Sequence, residues 1–299
     1  MNSNLDNVKV IDVTLRDGGY RNRFNFSLDF VQNHVKSMYE SGVDYVEIGY
    51  RNGSVVPIKG MGITGFSENQ YIQAIREVVP DMKLVVIAHA KNITEQDVHD
   101  MADMGVSMVR FCTTPENIDA TLKLSAISKQ RNMTTGINFV RISSIADSQL
   151  AELVKRVDKS CADVIYFADS NGNLNPSAVS RIAGVLKQNT DLEIGFHAHD
   201  NLGLAMSNSI AAVESGTTFI DASLLGMGKG IGNLKLEKWI AYNLSNGKKK
   251  YILEQLLKAV SALRSNPDYV ASDEEEYTID IKCGLFNVPF TERHKLENA

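Results

Sequence analysis

Cysteine is scarce. Only Cys112, Cys161 and Cys283 occur in 299 residues, far apart and outside any CxxC pair. That excludes a disulfide framework and a cysteine-rich zinc cluster, and it fits a reducing cytoplasmic setting. Basic residues are not in excess either: 31 Lys and Arg stand against 36 Asp and Glu, for a net charge of −5. Nucleic acid and membrane surfaces are therefore not expected partners. No apolar run approaches the roughly 18 residues of a membrane span. Met1–Lys9 is too polar for a signal peptide. Low-complexity linkers are missing. With 43% apolar and 22% charged residues, what remains is a soluble protein with one large core.

Short apolar runs alternate with longer amphipathic stretches. Eight runs read as strands: Val8–Asp17, Val43–Tyr50, Lys83–Ala90, Ser107–Thr114, Thr134–Ile142, Asp163–Ser170, Glu193–Asp200 and Thr218–Gly226. Ser27–Gly42, with Leu28, Phe30, Val31, Val35 and Met38, and Thr94–Gly105 read as helices between them. Ser27 and Thr94 suit N-caps, Thr94 with Asp97 at the third position. Gly42, Gly105 and Gly216 suit helix stops, and Pro115 and Pro176 first helical turns. Strands joined by crossover helices pair in parallel. Eight such units predict an α/β fold, a (β/α)8 TIM barrel over residues 1–247, with a C-terminal helical extension and tail over 248–299. The rival, a doubly wound sheet, lacks its GxGxxG fingerprint here. In the extension, Tyr251–Arg264 reads as a helix, and Lys248–Lys250 and Asp273–Glu276 as solvated charge runs.

Chemistry gathers at strand ends, which meet on one face of a barrel. His197 and His199, two apart on the seventh strand, point to the same side and suit a divalent metal, or else form two hydrogen-bonded core histidines. Asp17, closing the first strand, can add a carboxylate. Arg16 and Asp17 face opposite sides of a regular strand, so both reach the site only if the chain turns, which Gly18-Gly19 permits. Glu47 alternates with Val46 and Ile48, points into the barrel and needs a cation, for which Arg16 is placed. The glycine-rich Gly226–Asn233 stretch lets backbone approach a ligand or move as a lid. Asn233 reads equally as a metal ligand or a helix N-cap. His89, Ser170, Asn171, Arg110 and Arg141 are weaker candidates, Arg110 as the partner of an acid inside the barrel.

Together these residues resemble the DRE-TIM metallolyase superfamily (HMGL-like), metal-dependent aldolases and lyases with an Asp-Arg-Glu set on a TIM barrel. The resemblance spans roughly residues 8–245 and is strongest to 4-hydroxy-2-oxovalerate aldolase-like proteins. Ile165–Ser170, His197-Ala198-His199, Asn208–Ile210, Ala212–Glu214 and Asp221–Leu224 with Gly226-Met227-Gly228 carry it. It implies a divalent-metal-dependent aldolase that cleaves or forms a 4-hydroxy-2-oxo acid through a pyruvate-type enolate. Asp17, His197, His199 and Asn233 would hold the metal, Mn²⁺ or Mg²⁺ first, with Co²⁺ or Zn²⁺ also accommodated. Arg16 would stand beside the enolate oxygen, anchored by Glu47, and Ser170 and His89 would contact substrate. The partners implied are a 2-oxo acid and an aldehyde, in a homo-oligomer. The short C-terminal region speaks against a docked aldehyde dehydrogenase.

Departures from the pattern are specific. Where the aldolases place a histidine three residues after the metal aspartate, this chain has Tyr20, which becomes a candidate base beside His89 or a metal-bound water. Where Claisen-type acyl-CoA synthases place a glutamate, it has Gly19. The cysteine of hydroxymethylglutaryl-CoA lyases is missing from residues 226–232. A Claisen-type synthase, a non-haem iron oxygenase with the same two-histidine, one-carboxylate triad, and a non-catalytic metal-binding barrel are the alternative readings.

Overall fold

A computed structural model describes residues 3–271 and 274–296. Eight strands, β1 (Lys9–Asp12), β2 (Tyr45–Arg51), β3 (Leu84–His89), β4 (Met108–Thr113), β5 (Thr134–Phe139), β6 (Val164–Asp169), β7 (Glu193–Ala198) and β8 (Phe219–Ala222), close into one barrel. Every neighbouring pair is parallel, including β1 with β8. The main helices between strands are α1 (Gly19–Asn22), α2 (Leu28–Glu40), α3 (Asn69–Val78), α4 (Glu95–Asp103), α5 (Ile118–Gln130), α6 (Asp147–Lys155), α7 (Pro176–Asn189) and α8 (Ala205–Glu214). After β8 come α9 (Leu236–Ser245), α10 (Leu253–Ser265) and α11 (Glu274–Phe286). This is the (β/α)8 barrel that the spacing predicts. No helix among the described residues is long and apolar enough to cross a membrane.

The strands are buried on both faces, which is why they read as almost continuous apolar runs. Val46 and Ile48 pack outward in the layer shared with Val35 and Ile72 of the helices, and Glu47 points inward. Inside the barrel, Ile11, Tyr45, Val85, Met108, Tyr166 and Phe219 form an apolar plug.

Local signals place most helix ends. Ser27 Oγ accepts from the Phe30 amide, and Thr94 and Asp97 form a reciprocal capping box. Pro176 opens α7 behind the Asn175 cap. Gly42, Gly105 and Gly216 all adopt positive φ just past helix ends.

Four readings are corrected. First, β1 ends at Asp12, not Asp17, because Asp17 N–H turns back to the Val13 carbonyl at 2.8 Å. Second, Pro115 lies in a turn ahead of α5, where Asn117 Oδ1 accepts from the Thr114 amide at 2.7 Å. Third, Asn233 does not cap α9, which starts at Leu236. Fourth, Lys248 is buried rather than solvated and donates to the Leu5 and Val8 carbonyls. The Asp273–Glu276 run lies outside the described residues as far as its side chains are concerned.

The extension packs against the barrel. α10 follows Ile252, whose N–H bonds the Ser41 carbonyl at 3.0 Å. Beyond α11, Asn287 Oδ1 accepts from Asn171 Nδ2 at 2.6 Å and Ser143 Oγ at 3.0 Å, which brings Pro289–Thr291 over the C-terminal mouth.

Candidate metal centre

The turn after β1 puts Arg16 and Asp17 on the same side. Its foundation is a buried relay: His34 Nε2 lies 2.6 Å from Asp12 Oδ2, Thr14 Oγ1 donates to Asp12 Oδ1 at 2.5 Å, and Leu224 N–H donates to Thr14 Oγ1 at 2.9 Å. Gly18 and Gly19 matter here for room rather than for handedness, since Gly18 has φ −60. A Cβ on Gly18 would sit 2.1 Å from the Thr14 carbonyl oxygen, and one on Gly19 would sit 2.4 Å from the Phe24 ring.

Across the mouth, the His197 and His199 rings meet edge to face with centroids 4.9 Å apart. Donor atoms of Asp17, His197 and His199 all lie within 4.8 Å of one another, and all three residues are buried. Asn233 joins them: its Nδ2 donates to Asp17 Oδ2 at 2.9 Å. The glycine-rich loop brings backbone to the same carboxylate, with Lys229 N–H 3.2 Å from Asp17 Oδ2.

Three buried atoms around this point have no hydrogen-bond partner: His197 Nε2, His199 Nδ1 and Asn233 Oδ1. Leaving a buried polar atom unsatisfied costs about 1–3 kcal/mol, so three of them on residues grouped around one carboxylate mark a socket that a cation would complete. Protonation states agree. Burial pushes the Asp17 carboxyl up, but Arg16 and the two histidines outweigh it and hold the group well below the usual carboxylate range. Burial brings His199 down to about 3, with Asp17 opposing, so its imidazole is neutral. His197 Nδ1 lies 3.0 Å from Asp221 Oδ2 and donates to it, which leaves Nε2 as the ring nitrogen without a protein partner. Two imidazole nitrogens, one carboxylate and one amide oxygen suit a first-row divalent ion or Mg²⁺.

Behind the socket runs a continuous line of charge. Arg16 Nη1 donates to Asp17 Oδ1 at 2.5 Å, and its Nε donates to Glu47 Oε2. Arg110 Nε donates to Glu47 Oε1 at 2.7 Å, and its Nη1 to Asp221 Oδ2 at 2.6 Å. Asp221 then holds His197. Burial opposes both guanidinium charges, but the acids around them prevail and keep both protonated. Two arginines against three carboxylates leave one negative charge in a dry interior, a further reason for a cation to settle there.

A cavity of about 320 Å³ opens above, lined by Arg16, Asp17, Tyr20, His89, Ser170, His197, His199 and Arg141, among others. Glu47 lies beneath it, fully buried. Asn233 lines a neighbouring cavity of about 570 Å³ that runs under the glycine-rich loop toward α11. Tyr20 Oη lies 3.1 Å from Tyr50 Oη, and burial pushes the Tyr20 phenol up to about 12. His89 stacks on Tyr50 with centroids 5.6 Å apart. Burial, helped by Lys91 and Arg16, brings it down to about 4, and its Nε2 has no partner. Ser170 Oγ accepts from the Arg141 amide at 2.9 Å, which ties the ends of β5 and β6 together.

Sequence reasoning missed Asp221 as a site residue, although an acid between Ile220 and Ala222 is the same signal that exposed Glu47. Arg110 proves to pair with two acids rather than one. Tyr50 was also missed, and an aromatic residue in an apolar strand gives no signal.

Known proteins resemble this chain. A family model described as HMGL-like matches residues 7–263. A protein named 4-hydroxy-2-oxovalerate aldolase from Geobacillus stearothermophilus is 32% identical over 235 residues, covering 78% of this chain and 68% of the relative. One of the same name from Geobacillus genomosp. 3 is 30% identical over 234 residues, covering 78% and 69%. The crystal structure of the N-terminal domain of a putative aldolase from Bacteroides vulgatus superposes with a TM-score of 0.81 at 29% identity, covering 97% of this chain and 96% of that one.

Proposed function

Because the chain belongs to the HMGL-like family, we propose that it is a divalent-metal-dependent aldolase that cleaves or forms a 4-hydroxy-2-oxo acid, with pyruvate as the three-carbon fragment. The observation that carries this reading is the socket of Asp17, His197, His199 and Asn233 beside the Arg16 guanidinium. Mn²⁺ or Mg²⁺ held by these four would supply Lewis acidity toward the oxygens of a 2-oxo acid.

The protein's own groups supply the rest. In the cleavage direction the C3–C4 bond breaks, the C4 hydroxyl loses its proton and C4 becomes the aldehyde carbonyl. The bond pair passes to the three-carbon fragment, whose keto oxygen gains negative charge. Arg16 is a fixed cation for that charge, oriented by Glu47 and unable to give up its proton. Losing such a group costs roughly a hundredfold in rate. Tyr20, pushed up to about 12, keeps its proton at neutral pH. It is therefore poised to donate its proton to the aldehyde oxygen in the addition direction, which leaves a phenolate, and that phenolate is the form that takes the C4 hydroxyl proton when the bond breaks. His89 is neutral and faces the same cavity, where it contacts the substrate.

The test is proton exchange at the methyl group of pyruvate in D₂O, followed by NMR with Mn²⁺ or Mg²⁺ added. Exchange that requires the metal and disappears in Asp17→Ala and Arg16→Ala supports the reading. Folded, metal-binding protein that exchanges no methyl proton overturns it.

A further inference from the structure

Two cations at the mouth have no work in the chemistry above. Lys229, on the glycine-rich loop, lies over the Phe290 ring with its ammonium 5.4 Å from the centroid. Arg141 follows β5, with φ 52 and ψ 46. Both line the 320 Å³ cavity that holds Arg16, Asp17 and the two histidines. The arginines around them are engaged: Arg16 pairs with Glu47 and Asp17, Arg51 with Asp97 and Asp100, Arg21 donates to the Gly230 carbonyl, and Arg293 lies over the Phe290 ring at 4.6 Å. The Lys229 ammonium and the Arg141 guanidinium carry no hydrogen bond or ion pair to any described residue. The two like charges feel one another through space. The acids they feel are Asp17 and Asp280 for Lys229, and Glu116 and Glu292 for Arg141. None of these is bonded to either cation, and Glu292 is paired with Lys295.

Lys229 is fixed at its root by its own N–H to Asp17, and Arg141 by its N–H to Ser170. In the same cavity, Ile87, Val140 and Phe290 supply apolar wall for a short carbon chain. Asp17 and Asp280 offset the Lys229 charge only through space, and an anion bound at the ammonium would add a charged hydrogen bond.

We propose that Lys229 and Arg141 form a second anion subsite, and that the aldehyde fragment handled by this protein carries a terminal carboxylate or phosphate. The proposal rests on the aldolase reading and adds the substrate class: a 4-hydroxy-2-oxo acid with negative charge at both ends. Arg16 and the metal socket serve one end, and Lys229 with Arg141 the other.

Binding separates this from catalysis. The Mn²⁺-loaded protein is titrated calorimetrically with 2-oxoheptanedioate and with 2-oxoheptanoate. These share a carbon skeleton and a 2-oxo acid end, lack the 4-hydroxyl needed for cleavage, and differ in the distal carboxylate. The dianion should bind about tenfold more tightly, the worth of one charged hydrogen bond. That preference should collapse in Lys229→Met and in Arg141→Asn, the latter chosen because asparagine tolerates positive φ. A ratio of two affinities cancels general damage to the loop. The nature of the anion is read from kcat/KM for pyruvate addition to 4-oxobutanoate and to glycolaldehyde phosphate, each against butanal. Equal affinity for the two 2-oxo acids, or a preference that survives both substitutions, overturns the subsite. Pyruvate methyl exchange needs no distal group. Exchange without the preference removes the subsite alone, whereas no exchange removes the aldolase reading and the subsite with it.

Discussion

Asp221 Oδ2 accepts from Arg110 Nη1 at 2.6 Å and from His197 Nδ1 at 3.0 Å. A single oxygen on β8 thus couples a guanidinium deep in the barrel to an imidazole facing the metal socket. Burial pushes the Asp221 carboxyl up, but Arg110 and His197 more than reverse this and keep it ionised. The orientation of the His197 ring follows from that charge.

Asp221→Asn should therefore act at two distances. At the socket it removes the carboxylate that orients His197, and affinity for Mn²⁺ should fall about 10- to 100-fold by calorimetry. Deeper down it leaves Arg110 with one acid instead of two. Breaking a buried pair typically costs about 3–5 kcal/mol, so the urea midpoint should fall while the slope stays constant. Unchanged metal affinity would show that Asp221 serves stability alone.

The metal-free protein should lose stability on mild acidification. His89 and His199 are brought down to about 4 and about 3, chiefly by burial, from an ordinary 6.5. Below about 6.5 the unfolded chain takes up protons that the folded protein refuses. The stabilising contribution is complete above that value and declines as pH falls toward the folded values. Each histidine adds a slope of up to about 1.4 kcal/mol per pH unit. Asp169, pushed up to about 6 by burial, offsets part of this decline below about pH 6, and Asp17, which is depressed, enters only below its ordinary 3.8. Urea midpoints between about pH 7.5 and pH 5 should fall, and His89→Asn should flatten the decline. An identical pH slope in that variant would contradict a buried neutral His89.

Two glycines should respond in opposite ways to the same change. Gly184, inside α7, has nothing within 4 Å of an added Cβ, so Gly184→Ala should stabilise by about 0.5–1 kcal/mol. Gly18→Ala drives a methyl into the Thr14 carbonyl and must displace the turn that carries Arg16 and Asp17. Metal binding should be lost in Gly18→Ala and unaffected in Gly184→Ala. Full metal affinity in Gly18→Ala would mean that the turn has slack that the close contact hides.

Barrel, strand order and the grouping of candidate metal ligands were legible because they rest on period and position. Eight apolar runs at regular spacing allow few topologies, and His197 and His199 share a strand face by parity alone. Glu47 was legible because an acid amid apolar residues must find a cation. What stayed hidden depended on contacts distant in sequence. Pro115 fits a helix start by local preference, yet Asn117 captures the Thr114 amide and delays the helix. Lys248 sits in a basic run, and only the folded chain brings the Leu5 and Val8 carbonyls to it. The end of β1 was overextended because Val13 and Leu15 continue the apolar pattern while the backbone has already turned.

The line from Asp17 through Arg16, Glu47, Arg110 and Asp221 to His197 separates two kinds of position for anyone reshaping this barrel. Floor residues 47, 110 and 221 never line the cavity, yet each is answered by a charge on another strand, so they can change only as a set. Wall residues Val55, Val56, Val140 and Phe290 line the cavity from loops and strand ends and hold no member of that line. A library confined to the wall would vary which aldehyde fits while inheriting the ion socket intact. A library that strays onto the floor would mostly return barrels whose ion socket has collapsed.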